Sequence, residues 1–257
     1  MTHDIEVTGT TVTKHYTSWS RDEPAREWTA LSVLSRAAPG LTPTPLATSA
    51  HWLRMTRVPG HPLTAPLAPA QLAALGDALE TLWSAPTEDL EPIDLTPLVE
   101  RTRTGLQSLA TTEGVIAEAA STWLADEPPH LTTRDPVLAH GDPNLANYLW
   151  DGVRVRIIDF EDSGQGDRTV ELANLVEHLA WRNADPAPLV RRFAPDPRRF
   201  QAARRLWSGF WLTLIGPGGP SAHRNPPGTA EAQARRVLRL AAGQPPAAPR
   251  PPGCPAR

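Results

Sequence analysis

The sequence predicts an α+β fold in which a short β-rich N-terminal part is followed by a mainly helical C-terminal part. Residues 4–16 contain two runs of β-branched side chains on either side of Thr8-Gly9-Thr10, which predicts a strand hairpin. From residue 69 onwards, apolar residues recur at the spacing of amphipathic helices. Between the helical segments, Asp151-Gly152 separates two short β-rich runs, which is a strong signal for a second hairpin.

The N-terminal part is predicted to contain the first hairpin, a helix and a further strand. The second strand of the hairpin carries Lys14, which is the only lysine of the chain. The helix is predicted from about residue 25 to 37, with Glu27 in its first turn. Residues 50–56 form the next predicted strand, which Pro59-Gly60 ends.

The C-terminal helices are predicted from apolar stripes and from signals at their ends. Pro69 suits a first helical turn, and Thr229 and Gly243 suit the start and the end of the last helix. An apolar run at 137–139 predicts a short buried strand. The helices are expected at about residues 69–85, 98–109, 115–125, 169–181, 198–215 and 229–242.

The second hairpin brings polar residues together at its open end. A two-residue loop at Asp151-Gly152 would pair Asn147 with Arg156, so Asn147 and Asp159 would lie at the same end of the hairpin. Along the strand direction, Asn147 and Asp159 would be three residues apart, which is roughly 10 Å. A bend after Ile158 would close that distance.

Asp142, Asn147 and Asp159 form a predicted polar cluster whose side chains suit phosphoryl transfer. One amide oxygen and one or two carboxylates suit a hard cation such as Mg²⁺. The other carboxylate is free to orient or deprotonate a hydroxyl. Positioning and charge neutralisation are the main demands of phosphoryl transfer. The alternative interpretation is a surface hairpin whose polar ends are only solvated.

The same stretch resembles a family of small-molecule kinases. His140-Gly141-Asp142 followed by Asn147 fits the kinase catalytic-loop spacing H-x-D-x-x-x-x-N. Residues 158–162, the second motif of the site, read I-D-F-E-D, and residues 164–168 read G-Q-G-D-R. Together they resemble the aminoglycoside phosphotransferase and choline kinase family, which has a two-lobe protein-kinase-like fold. The resemblance implies transfer of the terminal phosphate of ATP or GTP to a hydroxyl of a small molecule, such as an aminoglycoside or another amino-alcohol.

The resemblance also implies roles for individual residues. Asp142 would be the catalytic base, and Asn147 and Asp159 would be the Mg²⁺ ligands. Lys14 would contact the nucleotide phosphates, and Glu27 would hold that lysine. The backbone around Met55, Thr56 and Val58 would contact the adenine. His140 would hold the catalytic loop, and Asp167 would fix the turn into the next helix. The role of Asp162 stays open.

One part of that family's pattern is missing. The thirteen residues before Lys14 contain no phosphate-covering loop of the form G-x-G-x-x-G. Either the loop is reduced to Thr8-Gly9-Thr10, or the natural N-terminus lies upstream. The alternative function is therefore a nucleotide-binding, pseudokinase-like module with little or no transfer activity.

The acceptor is predicted from acidic residues in and after the second motif. Glu161, Asp162, Glu171 and Glu177 would form an acidic wall that attracts amino-sugars or other polycationic alcohols. The resemblance leaves choline, homoserine, macrolides and sugars open as acceptors. His178 is interpreted as a packing residue on an apolar helix.

Composition limits the cellular context and the domain organisation. A net charge of −3 without a basic tract argues against nucleic-acid binding, and no apolar run approaches the length of a membrane span. The N-terminus shows no signal pattern and the only cysteine is Cys254, so we expect a cytoplasmic protein without an internal disulfide. The expected units are a nucleotide-binding lobe with hinge (1–60), a catalytic and acceptor-binding lobe (61–243) and a disordered tail (244–257). The oligomeric state stays open.

Overall fold

The computed structural model describes residues 3–17, 22–127 and 129–243. The first elements are β1 (Asp4–Thr8), β2 (Thr11–His15), α1 (Glu23–Ala37), β3 (Pro45–Thr48) and β4 (Trp52–Thr56). The four strands form an antiparallel sheet in the order β1-β2-β4-β3, and α1 packs against β3 and β4. The predicted α+β fold class is confirmed. The tail expected to be disordered, with Cys254, lies outside the described residues.

The N-terminal part departs from the prediction at two places. The first hairpin is confirmed, and Lys14 on β2 pairs with Leu53 on β4. Helix α1 begins two residues earlier than expected, at Glu23 with Pro24 in its first turn, so Glu27 lies in the second turn. β3 was not predicted because its Pro-rich sequence has weak β propensity, and its pairing with β4 determines its conformation.

The C-terminal part is mainly helical. Its helices are α2 (Pro69–Trp83), α3 (Thr96–Ala110), α4 (Gly114–Ala125), α5 (Arg168–Glu177), α6 (Ala187–Phe193), α7 (Pro197–Ile215) and α8 (Thr229–Ala241). Its strands are β5 (His61–Pro62), β6 (Pro136–Ala139), β7 (Tyr148–Trp150), β8 (Val155–Ile157) and β9 (Gly164–Asp167). The predicted helices are confirmed apart from their ends, whereas β5, α6 and β9 were missed. None of the described helices combines the length and the apolarity that crossing a membrane requires.

The second hairpin is present, but its loop is longer than predicted. Residues 151–154 form the loop between β7 and β8, and Arg156 pairs with Leu149 rather than with Asn147. Asp151 explains the difference, because its Oδ1 accepts hydrogen bonds from two backbone N–H groups of the loop at 2.9 and 2.8 Å. The side chain thus stabilises a wider turn than the Asp-Gly signal alone implies.

The longer loop places Asn147 nearer to Asp159 than the predicted register would. Asn147 ends a 3-10 turn (Leu145–Asn147), and its carbonyl accepts a hydrogen bond from the N–H of Ile158 at 3.0 Å. Asn147 therefore lies level with the residue that precedes Asp159. The predicted bend across three strand positions is not needed.

Two hydrophobic clusters stabilise the fold. The larger one spans both parts of the chain and includes Leu31 and Leu53 from the N-terminal part and Leu79 and Ile157 from the C-terminal part. Each fully buried aliphatic side chain contributes roughly 1.5–3 kcal/mol relative to exposure. The smaller cluster joins α3, α4, α7 and α8 around Trp123. The larger cluster holds the N-terminal sheet against the second hairpin.

Candidate active site

The residues predicted to bind nucleotide and metal line one cavity of about 850 Å³ between the N-terminal sheet and the second hairpin. The sheet and α1 supply one wall, the segment after β4 supplies the edge, and the hairpin supplies the opposite wall. The predicted residues on the cavity are Lys14, Glu27, Met55, Thr56, Val58, Asn147 and Asp159. The fold thus brings these separate segments to a single cleft.

Lys14 is buried in this cleft and is surrounded by carboxylates. Its Nζ lies 2.8 Å from Glu27 Oε2 and 2.5 Å from Glu161 Oε2, and it also contacts Asp159 Oδ1. Burial alone would lower the pKa of Lys14, but the three carboxylates outweigh burial and hold that pKa above its ordinary value. The charged ammonium therefore neutralises a carboxylate cluster that would otherwise suit a cation.

Glu27 links the sheet, helix α1 and the second motif. Its Oε2 accepts hydrogen bonds from Lys14 and from the Tyr16 hydroxyl at 2.8 and 2.6 Å. Its Oε1 accepts a hydrogen bond from the N–H of Phe160 at 3.1 Å. Glu27 therefore fixes the lysine and the backbone next to Asp159 at the same time.

Asp159 has a left-handed backbone conformation, with φ at 71°. Aspartate tolerates this region better than most residues, but the conformation persists only where the surroundings fix it. The carbonyl of Ile158 and the N–H of Phe160 are both held, by His140 and by Glu27. The Asp159 side chain remains 37% exposed, so its carboxylate stays accessible from the cleft.

His140 joins the catalytic loop to the second motif. Its Nδ1 accepts a hydrogen bond from the N–H of Asp142 at 3.3 Å, and its Nε2 lies 2.8 Å from the carbonyl of Ile158. Because Nδ1 accepts, Nε2 carries the proton of the neutral ring. The ring also packs edge-on against Phe160, with centroids 4.8 Å apart. Both nitrogens are thus engaged in holding the loop.

Asp142 and Asn147 are in direct contact. Asn147 Nδ2 donates to Asp142 Oδ2 at 3.0 Å and to the Asp142 carbonyl at 3.1 Å. Burial alone would raise the pKa of this carboxyl, but the contact with His178 at 3.5 Å, with contributions from His140 and Asn147, outweighs burial and holds the pKa below its ordinary value. At neutral pH the carboxylate is therefore ionised and able to accept a hydrogen bond.

Helix α5 holds the catalytic loop through contacts that the sequence analysis missed. Glu171 Oε1 accepts hydrogen bonds from the N–H groups of His140 and Gly141 at 2.9 and 3.0 Å. Asn174 Nδ2 donates to the Gly141 carbonyl at 3.0 Å. Burial raises the pKa of Glu171 despite its two backbone hydrogen bonds. The predicted acidic-wall residue Glu171 is therefore a support of the loop.

The contacts from α5 continue beyond its last turn. His178 Nε2 lies 3.5 Å from Asp142 Oδ1, and Trp181 Nε1 donates to the Pro143 carbonyl at 3.1 Å. The interpretation of His178 as a packing residue is incomplete, because the ring packs against Trp211 and also contacts Asp142. Glu171, Asn174 and His178 follow one another at spacings of three and four residues along α5 and its C-cap, and this spacing is the signal that could have identified the contact face.

Asp167 caps helix α5. Its Oδ1 accepts hydrogen bonds from the N–H groups of Thr169 and Val170 at 3.1 and 3.2 Å. Its Oδ2 lies 2.9 Å from Arg199 Nη2. Burial would raise the pKa of Asp167, but backbone hydrogen bonds and Arg199 hold that pKa below its ordinary value. The cap fixes the start of the helix that holds the catalytic loop.

A second cavity of about 560 Å³ lies on the other side of Asp142. Helix α7 lines it with Trp207, Phe210 and Trp211, and the Phe210 ring lies 5.5 and 5.3 Å from the two indoles. Asp162 lines the same cavity beside Asp142. The cavity therefore combines an aromatic wall with carboxylates at the predicted catalytic base.

The predicted acidic wall is only partly present. Glu177 does not line the cavity, because it is buried and pairs with Arg204 at 2.6 Å and with Arg236. Glu161 and Glu171 line the cavity, but the ammonium and the catalytic loop already engage their carboxylates. The sequence could not show these pairings, since the arginines come from helices later in the chain.

Comparison with known families agrees with this geometry. Residues 6–207 match the phosphotransferase enzyme family APH, and this range contains both motifs of the site. The chain belongs to the APH phosphotransferase family. Membership of this family identifies the chain as an enzyme of the small-molecule kinase type. No curated protein matches the sequence significantly.

Solved structures share the fold of this APH chain. A choline/ethanolamine kinase family protein from Mesorhizobium loti is 21% identical, with a TM-score of 0.60 over 95% of this chain and 85% of that chain. The gentamicin complex of APH(2'')-IIa is 16% identical, with a TM-score of 0.65 over 95% and 88%. An ethanolamine kinase from Plasmodium vivax is 13% identical, with a TM-score of 0.54 over 93% and 82%. At these identities the likeness shows the two-lobe kinase-like fold alone.

Proposed function

We propose that this phosphotransferase moves the terminal phosphate of ATP or GTP to a hydroxyl of a small molecule, with the nucleotide in the first cavity and the acceptor in the second. The contact between Asn147 and Asp142 carries the proposal. Asn147 lines the first cavity and donates at 3.0 Å to Asp142, which lines the second. A transferred group would cross between the cavities at this contact.

The residues of the first cavity suit a nucleotide. Lys14 offers a compact ammonium for the phosphates, and an arginine would not replace it there. Met55, Thr56 and Val58 line the edge of the cavity where the base would lie. Their backbone groups are the proposed contacts to the base.

Asn147 and Asp159 fit the proposed Mg²⁺ site by their chemistry. Both offer hard oxygen donors, which Mg²⁺ prefers. The amide nitrogen of Asn147 is committed to Asp142, while its Oδ1 has no protein partner among the residues that the structure describes. When bound, Mg²⁺ would neutralise charge on the phosphates.

Asp142 is the proposed base. Its ionised carboxylate would accept a hydrogen bond from the acceptor hydroxyl and take the hydroxyl proton. The hydroxyl oxygen would form the new bond to the terminal phosphorus while the bond from that phosphorus to the nucleoside diphosphate breaks. Lys14 would steady the phosphates during this step.

Replacement of Asp159 by alanine tests the nucleotide and metal sites. We expect wild-type chain to bind ATP or GTP more tightly with Mg²⁺ than without, and Asp159→Ala to lose that Mg²⁺-dependent gain. Calorimetric titrations with both nucleotides, with and without Mg²⁺, measure this gain. Asp89→Ala, an exposed carboxylate outside both cavities, is the matched control. A gain that persists in Asp159→Ala would contradict the assigned ligand.

The second candidate function is the pseudokinase-like module. The turn between β1 and the strand of Lys14 consists of Gly9 and Thr10 alone, which is not a G-x-G-x-x-G loop, and this short turn favours the second candidate. Nucleotide binding without transfer to any acceptor would support this candidate over the kinase. Absence of nucleotide binding would contradict both.

The acceptor we propose is an amino-alcohol with few positive charges and an apolar face. Aromatic rings bind apolar faces and single cations. Arg26 and Arg101 also line the cavity, and their positive charges disfavour an acceptor with many positive charges. We therefore expect a higher kcat/KM for choline, ethanolamine or a macrolide than for kanamycin. Initial rates at low and high salt measure this preference. Preference for kanamycin that collapses at high salt would instead support the acidic wall.

A further inference from the structure

We propose that His178 is a positioning residue that fixes the carboxylate of Asp142 for phosphoryl transfer. This inference rests on the proposed function, in which Asp142 meets the acceptor hydroxyl. Oδ2 of Asp142 accepts from Asn147 at 3.0 Å, and Oδ1 lies 3.5 Å from His178 Nε2. One contact on each oxygen restricts rotation of the carboxylate about the last bond of its side chain.

The proton on the His178 ring is assigned by its other nitrogen. Nδ1 accepts a hydrogen bond from the N–H of Ala180 at 3.1 Å. Nδ1 therefore carries no proton, and the neutral ring has its proton on Nε2. Since Nε2 is the nitrogen that faces Asp142, His178 is oriented as a donor to Oδ1.

The surroundings of His178 make it a fixed support. Helix α5 ends at Glu177, and His178 caps the 3-10 turn Leu179–Trp181 with φ −60° and ψ 141°. The ring packs edge-to-face against Trp211, with centroids 4.5 Å apart and an angle of 85°. A buried ring held by a backbone cap and by an indole cannot follow a moving carboxylate, so it determines where the carboxylate lies.

This support leaves the base accessible. The Asp142 side chain is 36% exposed while that of His178 is 7% exposed. The Asp142 carboxylate can therefore meet an acceptor on its exposed side while the buried His178 ring determines its orientation. Misplacement of a reacting group by about 1 Å costs about 100-fold in rate. Loss of the His178 contact should accordingly affect turnover rather than nucleotide affinity.

Two substitutions separate positioning from a purely structural role. His178→Asn keeps a short oxygen that can cap the N–H of Ala180 but is too short to reach Asp142. His178→Gln extends further and can donate to Asp142. We expect His178→Asn to lower kcat about tenfold or more, with nucleotide Kd and acceptor KM near those of the wild type. The melting temperature should fall to a similar extent in His178→Asn and His178→Gln, because both lose the ring that packs against Trp211. His178→Gln should recover part of that loss. Wild-type kcat in His178→Asn would overturn the proposal.

A measurement on the ring itself does not depend on transfer. ¹⁵N NMR of the histidine side chains, assigned with the His178→Asn variant, should show His178 at alkaline pH with its proton on Nε2. A proton on Nδ1 would overturn the proposal, because the nitrogen facing Asp142 would then be unable to donate. If the wild type transfers phosphate to no acceptor, the proposed function fails, and the tautomer still decides whether His178 is oriented toward Asp142 as a donor.

Discussion

Replacing Asp142 with asparagine is expected to lower phosphoryl transfer by about 10²- to 10⁴-fold, the usual contribution of a positioned general base. The variant keeps the shape of the side chain. It also keeps an oxygen that can accept the hydrogen bond from Asn147, which is 3.0 Å long in the wild type. It cannot take the hydroxyl proton. Because Asp142 does not line the nucleotide cavity, ATP affinity should stay nearly unchanged. Initial rates and calorimetry on the same preparation measure the two quantities separately.

Asp89→Asn is a suitable control for this experiment. Asp89 is 71% exposed, lies outside both cavities and has a long contact of 3.7 Å to Arg36. The control should match the wild type in rate and in affinity. An Asp142→Asn enzyme that retains transfer within about tenfold of the wild type, a barrier change of about 1.4 kcal/mol, would contradict the assignment of the base.

The parts of the site that lie close together in the chain were predictable from the sequence. Asp142, Asn147 and Asp159 fall within one strand-loop-hairpin segment, so their spacing alone implied that they meet. The pairing of Lys14 with Glu27 was implied by the resemblance to the kinase family, and the structure places their charged groups 2.8 Å apart. Local spacing alone was sufficient only where one hairpin makes the contact.

The supports of the site were not predictable because their partners are distant in the chain. Glu171 was interpreted as an acceptor contact, whereas its oxygen accepts from the backbone of His140 and Gly141, thirty residues earlier. Glu177 was assigned to the predicted acidic wall of the acceptor site, whereas two arginines from α7 and α8 neutralise it. β9, with the sequence Gly164–Asp167, has little β propensity and forms a strand by pairing with the apolar β6. In each case tertiary contacts outweighed the local pattern.

Gly141→Ala is expected to lower the free energy of unfolding by about 2–5 kcal/mol in total, from a left-handed backbone and from overpacking. Gly141 has φ at +84°, and a Cβ there would lie 2.3 Å from the carbonyl oxygen of Asp162. That oxygen belongs to the backbone of the second motif, so it cannot turn away. Relief of the collision would separate the loop of Asp142 from the second motif, so transfer should be lost as well. Urea unfolding and initial rates measure the two effects.

Gly40→Ala separates the two costs. Gly40 has the same φ of +84°, but a Cβ there would meet nothing within 4 Å. This control should therefore lose only the about 1–2 kcal/mol of a left-handed alanine and should keep its transfer rate. The excess loss in Gly141→Ala then measures the contact between the catalytic loop and the second motif. Equal losses in the two variants would show that these backbones do not touch, and the glycine between His140 and Asp142 would need another explanation.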